Sequence, residues 1–377
     1  MDNHRSKLST STDNNSGRRN FIRTAATGGA AAIASGLQTA ESSASVQNGR
    51  KLRVGAMCVG DFSFWGYSWG DLFSPGKPVF RDTLDTGLLN MEVTHVWDKD
   101  PSAARKFADI VGADVVDRYD GMVGKVDGVA FGGFNEVPWQ HKLARPYIEA
   151  GIPTYLSRPF AYTLRDIDNL LDLGARHNTP IMATDVYEHL HSVPTLKKKL
   201  GDIGEIECVH GTCLTQEYPA LFHSQFMIQK IFGNDIGKVS IVTDNPNASS
   251  YLAGTYIYNK RDGQKTFPCT ISMTPTGDLY SYMVSGTKGI INDRLPQIPD
   301  WRSDLLTHHV PMLVDMQRNF EGKNFEPFDD IRKKVEIFLT GFYSAVECDG
   351  GQVAVGSVPV DWRATPAQPG WIDDSIF

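Results

Sequence analysis

The stretch Lys51-Leu52-Arg53-Val54-Gly55-Ala56-Met57-Cys58-Val59-Gly60 starts as a short apolar run and ends on glycine. A run of that length reads as a buried strand, and the glycines as a tight turn after it. The same pattern recurs downstream. Met91 to Trp97 is β-rich, and Val126 to Phe131, Pro153 to Leu156 and Ile181 to Thr184 are further short apolar runs. Helical periods separate them. Asp100-Pro101 supplies an N-cap and a proline at the first helical position, followed by apolar Ala104, Phe107 and Val111. Another helix is expected from about Pro138 to Ala150, stopped by Gly151, and a third from Thr163, burying Ile167, Leu170 and Leu171. Strands alternating with such helices imply βαβ units, hence an α/β fold with a Rossmann-type, doubly wound parallel sheet.

In such a sheet the ligand lies at the carboxyl ends of the strands, so the first turn is where phosphate-binding glycines belong. Read as Gly55-Ala56-Met57-Cys58-Val59-Gly60, it keeps the first and third glycines of GxGxxG and places Met57 at the second. A side chain there holds the backbone away from a pyrophosphate. Asp98 closes the second strand, where an acid binds the ribose hydroxyls of NAD; the alternative is a turn or helix-capping aspartate. Asp98 disfavours a ribose phosphate, which points to NAD, although the nearby Lys99 and Arg105 keep NADP possible. The connection from Asp61 to Gly70 is long and rich in aromatics, which either cover a ligand or pack the loop onto the domain.

Composition sets outer limits. The chain has 377 residues, 41% hydrophobic and 21% charged, enough for two ordinary globular domains. A formal charge of −7 argues against a broad nucleic-acid surface, and no apolar run approaches the roughly 20 residues that cross a bilayer. The five cysteines form no CxxC pair, so buried thiols are expected rather than a disulfide framework or a zinc site. The first 49 residues read as an address. Gly17-Arg18-Arg19-Asn20-Phe21-Ile22-Arg23 resembles a twin-arginine export signal, Thr24 to Leu37 is weakly apolar, and Ser42-Ser43-Ala44 suits signal peptidase. No cysteine follows to carry a lipid, so the expectation is an exported, periplasmic or extracytoplasmic protein with no membrane anchor.

With these pieces in order, the chain resembles the glucose–fructose oxidoreductase, inositol dehydrogenase and rhizopine-catabolism (Gfo/Idh/MocA) family. The resemblance runs from Asp98 through Asp100-Pro101, Val126-Asp127-Gly128-Val129 and Tyr147-Ile148-Glu149-Ala150-Gly151-Ile152-Pro153 to Ser157-Arg158-Pro159-Phe160-Ala161. It continues at Gly204-Glu205-Ile206, at Ser285-Gly286-Thr287-Lys288-Gly289 and in the final helix around Arg332–Cys348. It implies a dinucleotide-binding domain over 50–184 and, over 185–377, an α+β domain with an open, mainly antiparallel sheet whose bare face commonly makes a homo-oligomer. Ile206 to Cys213, Lys238 to Val242, Tyr251 to Tyr258, Thr266 to Met273 and Tyr280 to Ser285 agree as strands.

The resemblance also implies site residues. Ser157-Arg158-Pro159 stands where the family carries Glu-Lys-Pro, near nicotinamide and substrate, so Arg158 and Pro159 are expected at the cofactor. Arginine stays protonated, so Arg158 can orient an oxygen but not act as a base. His223, ten residues before Gly233, matches a family histidine that suits a general base on a sugar hydroxyl. The aspartate expected four residues earlier is Pro219, and Phe226 stands three after, so His223 is expected to lack a carboxylate partner. Asp185 and Tyr187 lie just past a strand end, facing the cleft. Gln140 and His141 fall near a cofactor-side histidine of the family. His189 and His191 are spaced by two, a poor ligand pair on a helix, and no metal is expected.

Three functions compete. One is an NAD(P)-dependent oxidoreductase on a sugar or polyol, with its cofactor held tightly because nothing replenishes NAD outside the cytoplasm. Another is a non-redox sugar enzyme, glycosidase-like, that borrows a hydride and returns it. The third is a family member without catalysis that works by binding, which the substitutions at Met57, Ser157, Arg158, Pro219 and Phe226 suggest.

Overall fold

Six short strands set the crevice. In a computed structural model of the chain, β1 (Leu52–Met57), β2 (Met91–Trp97), β3 (Asp114–Val115), β4 (Gly128–Phe131), β5 (Thr154–Tyr155) and β6 (Ile181–Met182) form one parallel sheet. Its order is β3-β2-β1-β4-β5-β6. The order reverses between β1 and β4, so the crevice at their carboxyl ends is the switch point where such folds take a ligand. The structure describes residues 50–61, 63–74, 89–190, 192–213, 221–243, 253–261, 263–273, 281–294, 309–364 and 376–377. The export signal, His191 and Pro219 lie outside them.

Local chemistry explains most helix ends. A wide, π-type turn over Trp65–Trp69 runs into α1 (Gly70–Phe73). Asp100 caps α2 (Pro101–Val111) by accepting the Ser102 N–H, and Gly112 ends it in the left-handed conformation at φ 75°. The single helix expected from Pro138 to Ala150 is instead divided. A 3-10 turn over Val137–Trp139 leads into α3 (Gln140–Leu143), and then comes α4 (Arg145–Glu149). Pro146 has no N–H to give and crowds the carbonyl one turn back, which breaks the run. Thr163 caps α5 (Leu164–His177) by accepting the Asp166 N–H, and the helix buries Ile167, Leu170 and Leu171 as expected.

After α6 (Ser192–Lys199), a second sheet takes over. It comprises β7 (Ile206–Cys213), β8 (Ile236–Val242), β9 (Ala253–Tyr258), β10 (Phe267–Met273), β11 (Ser281–Gly286), β12 (Gly289–Arg294) and β13 (Val353–Ala354). The order is β12-β11-β7-β10-β9-β8-β13, antiparallel except for the β7–β10 pair. The side-chain period of two divides the faces. Val239, Ile241, Tyr256, Tyr258 and Ile271 are buried in one core cluster with residues of α7 (Leu221–Phe232) and α9 (Phe328–Glu347). The half-exposed Thr255–Thr270 and Thr212–Ser281 pairs hydrogen-bond across neighbouring strands.

In chain order α8 (Val310–Phe320) falls between β12 and β13 of the second sheet, yet it packs on the first. It buries Val310, Leu313, Met316 and Phe320 in the cluster that holds Val54, Ala56 and Met91 of the first sheet. Gly128 in β4 makes room, because a Cβ there would lie 2.4 Å from the Phe320 ring. The C-terminal half thus lends a helix to the N-terminal sheet, and residues 50–377 form one compact unit. Among the described residues, no helix is long and apolar enough to cross a membrane.

Candidate active site

The turn after β1 lies three residues later than the glycine pattern suggested. Pairing continues through Met57, which aligns with Trp97 in β2 and Phe131 in β4, and the Cys58 N–H still donates to the Trp97 carbonyl at 2.9 Å. Gly55 and Met57 are therefore strand residues, not members of the turn. Gly55 is a packing glycine: a Cβ there would meet Met122 Sδ at 2.6 Å. The turn begins at Cys58, in the left-handed region at φ 58°, and includes Gly60. Ser63 ties it to the helix, giving its hydroxyl to the Gly60 carbonyl and accepting the Gly66 N–H.

Asp98 closes this turn. Its Oδ2 accepts the N–H groups of Val59 and Gly60 at 2.7 and 3.0 Å, and its Oδ1 that of Asp100 at 2.9 Å. Burial pushes its carboxyl up, against the pull of these three donors. The turn-capping alternative is thus real, and it does not exclude the ribose role, since Oδ1, with one donor, keeps a further lone pair. These residues fit the adenosine end of a dinucleotide. A Cβ on Gly60 would meet only Asp98 Oδ2, at 3.8 Å, so the backbone there is open to a ligand with an acid beside it.

Glu136, which the sequence reading passed over, sits on the other lip of the crevice just past β4. A Cβ on Gly133 would meet its Oε2 and the Cβ of Cys58. Burial, then the Asp98 charge, push the Glu136 carboxyl up to about 7. A raised carboxyl stabilises the fold fully below its unfolded value and loses that contribution as pH rises through the folded one. Glu136→Gln should therefore leave stability unchanged near pH 4 and raise it by roughly 2 kcal/mol at pH 8, allowing for partial exposure. Urea midpoints at the two pH values check this; equal shifts at both would refute it.

The aromatic connection packs inward. Trp65 and Trp69 are wholly buried; Trp65 Nε1 donates to the Ala130 carbonyl, and Trp69 Nε1 to His309 Nδ1. Phe64 stacks on Trp69 and also roofs Arg158, whose guanidinium lies 3.8 Å from the Phe64 ring centre and 4.2 Å from that of Phe134. Such stacking suits arginine's planar, weakly hydrated head.

Arg158, Asp185, Tyr187 and His223 come together at the carboxyl end of the first sheet. Asp185 is fully buried and caps the turn Val186–His189, its own N–H donating to Glu188. Both its oxygens lie 2.9 Å from His223 Nδ1, and Arg158 Nε lies 3.2 Å from Oδ2. Burial by itself would raise the Asp185 carboxyl; the His223 ring, its hydrogen bond and then Arg158 bring it down to about 2. The expectation that His223 lacks a carboxylate partner is corrected, because α7 presents it to an acid 38 positions away. Tyr187 meets the His223 ring edge-on, centroids 4.7 Å apart, and Phe226 stacks on Phe160. Pro159 is buried beside Arg158 in a cis peptide.

The remaining candidates hold structure. Gln140 clamps Ser157 by bonding both its carbonyl and its N–H, His141 lies 3.6 Å from Asp166, and His189 pairs with Asp315 and Thr184. Among the described residues no cluster could hold a metal ion. Cys58 and Cys269 are buried thiols, both pushed up by burial.

No family model matches the chain, and no curated protein matches it in sequence. Solved structures do match in shape. Myo-inositol dehydrogenase from Lactobacillus casei, in complex with NAD(H) and myo-inositol, superposes at a TM-score of 0.66 over 84% of this chain and 100% of its own, at 14% identity. The chain has the fold of the inositol dehydrogenases. GenD2 from gentamicin A biosynthesis, in complex with NAD, covers 82% of this chain and 99% of its own at 16% identity and a TM-score of 0.64. An oxidoreductase from Agrobacterium radiobacter with NAD+, L-tartaric acid and magnesium covers 81% and 99% at 16% identity and a TM-score of 0.62.

Proposed function

We propose that this protein is an NAD-dependent oxidoreductase acting on a hydroxyl of a sugar or polyol. The observation that carries the reading is the convergence of Arg158, Asp185 and His223 at the carboxyl end of a sheet whose first turn suits a dinucleotide. Gly60 and Asp98 would hold the adenosine side. Bound NAD would take the hydride from the carbinol carbon. The chain's own residues handle the proton. His223 Nδ1–H donates to ionised Asp185, so the ring's lone pair sits on Nε2 and accepts the hydroxyl proton as the carbonyl forms. Asp185 fixes that tautomer and steadies the imidazolium that results. Arg158, permanently charged, favours the alkoxide character that develops on the oxygen.

Cofactor content tests the reading. The chain made in a bacterial cytoplasm is expected to release NAD(H) in near-equal amount when denatured with acid, as read by mass spectrometry. No release, with no shift in melting temperature on adding NAD, would refute it and leave a cofactor-free binding protein. Export with the cofactor tightly held belongs to the same proposal, supported by Arg18-Arg19 and the apolar stretch after them. Replacing both arginines by lysine should strand the protein in the cytoplasm on cell fractionation; unchanged export would remove the signal.

A further inference from the structure

A cavity of about 360 Å³ opens beneath the turn that carries Asp185. Its walls come from the end of β6, α7, α8 and the start of α9. Lys197 of α6 and Lys230 also line it, so three lysines with Lys334 nearly balance the four carboxylates Glu188, Asp315, Glu326 and Asp330. Lys334 holds Glu188 and Glu326, and His189 faces Asp315. This near-balance of opposite charges leaves little net field to select a charged ligand. What the walls do offer is planar amides. Gln229 donates to Asn234, which donates to Asp330. Asn319, 1% exposed, lines the cavity and gives its Nδ2 to the Asn324 carbonyl, while its Oδ1 is buried with no hydrogen-bond partner. A buried acceptor left unmet is uncommon and calls for a donor. At the rim Phe325 is 60% exposed, a large apolar ring beside a polar hollow.

We infer that this cavity is a second binding site, for a neutral polyhydroxylated molecule such as a sugar or polyol. Hydroxyls around such a molecule both donate and accept, which matches amides and paired carboxylates and meets Asn319 Oδ1. Its C–H face suits the Phe325 ring. The site communicates with the front: Glu188 lines the cavity and also accepts the Asp185 N–H at 2.9 Å. An occupant that moved Glu188 would move the carboxylate that orients His223. The inference rests on the lining and not on the reaction proposed above.

Equilibrium dialysis of the full chain against radiolabelled myo-inositol, and separately glucose, tests it. Phe325→Ala, Asn319→Leu and His223→Ala are run alongside. One probe is expected to bind, with at least about tenfold weaker affinity at this site in Phe325→Ala and in Asn319→Leu. His223→Ala should retain it. If His223→Ala alone loses the probe, the sugar lies in the front cleft; the second site is then overturned and the oxidoreductase reading survives. Binding of neither probe also overturns it, and cofactor content remains a separate test of the enzyme. Should Asn319→Leu not fold, the exposed Phe325 carries the comparison.

Discussion

Asp185→Asn is expected to lower turnover by about three to four orders of magnitude while leaving the fold in place. Both Asp185 oxygens accept from His223 Nδ1 at 2.9 Å, so the carboxylate dictates which nitrogen carries the proton. An amide in its place presents an N–H₂ to the ring, making Nδ1 the acceptor and putting the proton on Nε2. The base then has no lone pair for the substrate hydroxyl. Arg158, 9% exposed, also loses its buried counter-charge, at a cost of about 3 kcal/mol. Circular dichroism and a melting curve separate that loss from the catalytic one. His223→Ala should cost a similar factor, and the double variant little more than either, because the pair acts as a unit. Titration of Asp185 does not shape the ordinary pH profile. Its folded value is depressed, so its contribution holds above the usual carboxylate range and fades only as pH falls toward about 2. A tenfold loss or less in Asp185→Asn would remove the pair from the chemistry.

Local signals carried the elements well and the site only in part. Asp100 and Thr163 cap their helices because capping needs one side chain and one nearby N–H, both visible in sequence. Ile206–Cys213 appears as a strand at the expected bounds, since its pattern and flanking turns are local too. The glycine turn lies away from its sequence pattern for a physical reason. A glycine needed for close packing, as at Gly55 against Met122, looks the same in sequence as one needed for a turn. No acid stands within one helical turn of His223 in the sequence, whereas Asp185 reaches it across the fold. Glu136 could have been found: an acid just past Gly128–Phe131 stands at a strand's carboxyl end, where crevice residues belong. That α8 would pack on the first sheet had no local signature. An amphipathic helix records how much surface it buries, not against what.

Lys334→Met should produce the largest loss of stability, about 3–5 kcal/mol. Lys334 is 5% exposed, and its ammonium bonds Glu188, Glu326 and the Ala183 carbonyl within 3.0 Å. Methionine matches the stem but leaves two carboxylates in the interior with no cation. Burial already pushes the Glu326 carboxyl up even with Lys334 beside it, so without the lysine it is driven to take a proton. A carboxyl raised in this way stabilises below its unfolded value and loses that contribution as pH rises, so the deficit should be small near pH 4 and full at pH 8. Urea unfolding at both values reads it. Glu326→Gln added to Lys334→Met should recover part of the loss at pH 8, because an uncharged amide needs no counter-ion. Activity should fall as well, since Glu188 receives the Asp185 N–H and its displacement loosens the carboxylate that holds His223. A deficit under 1 kcal/mol at pH 8, or one that does not change with pH, would show that the buried carboxylates find solvent or another partner.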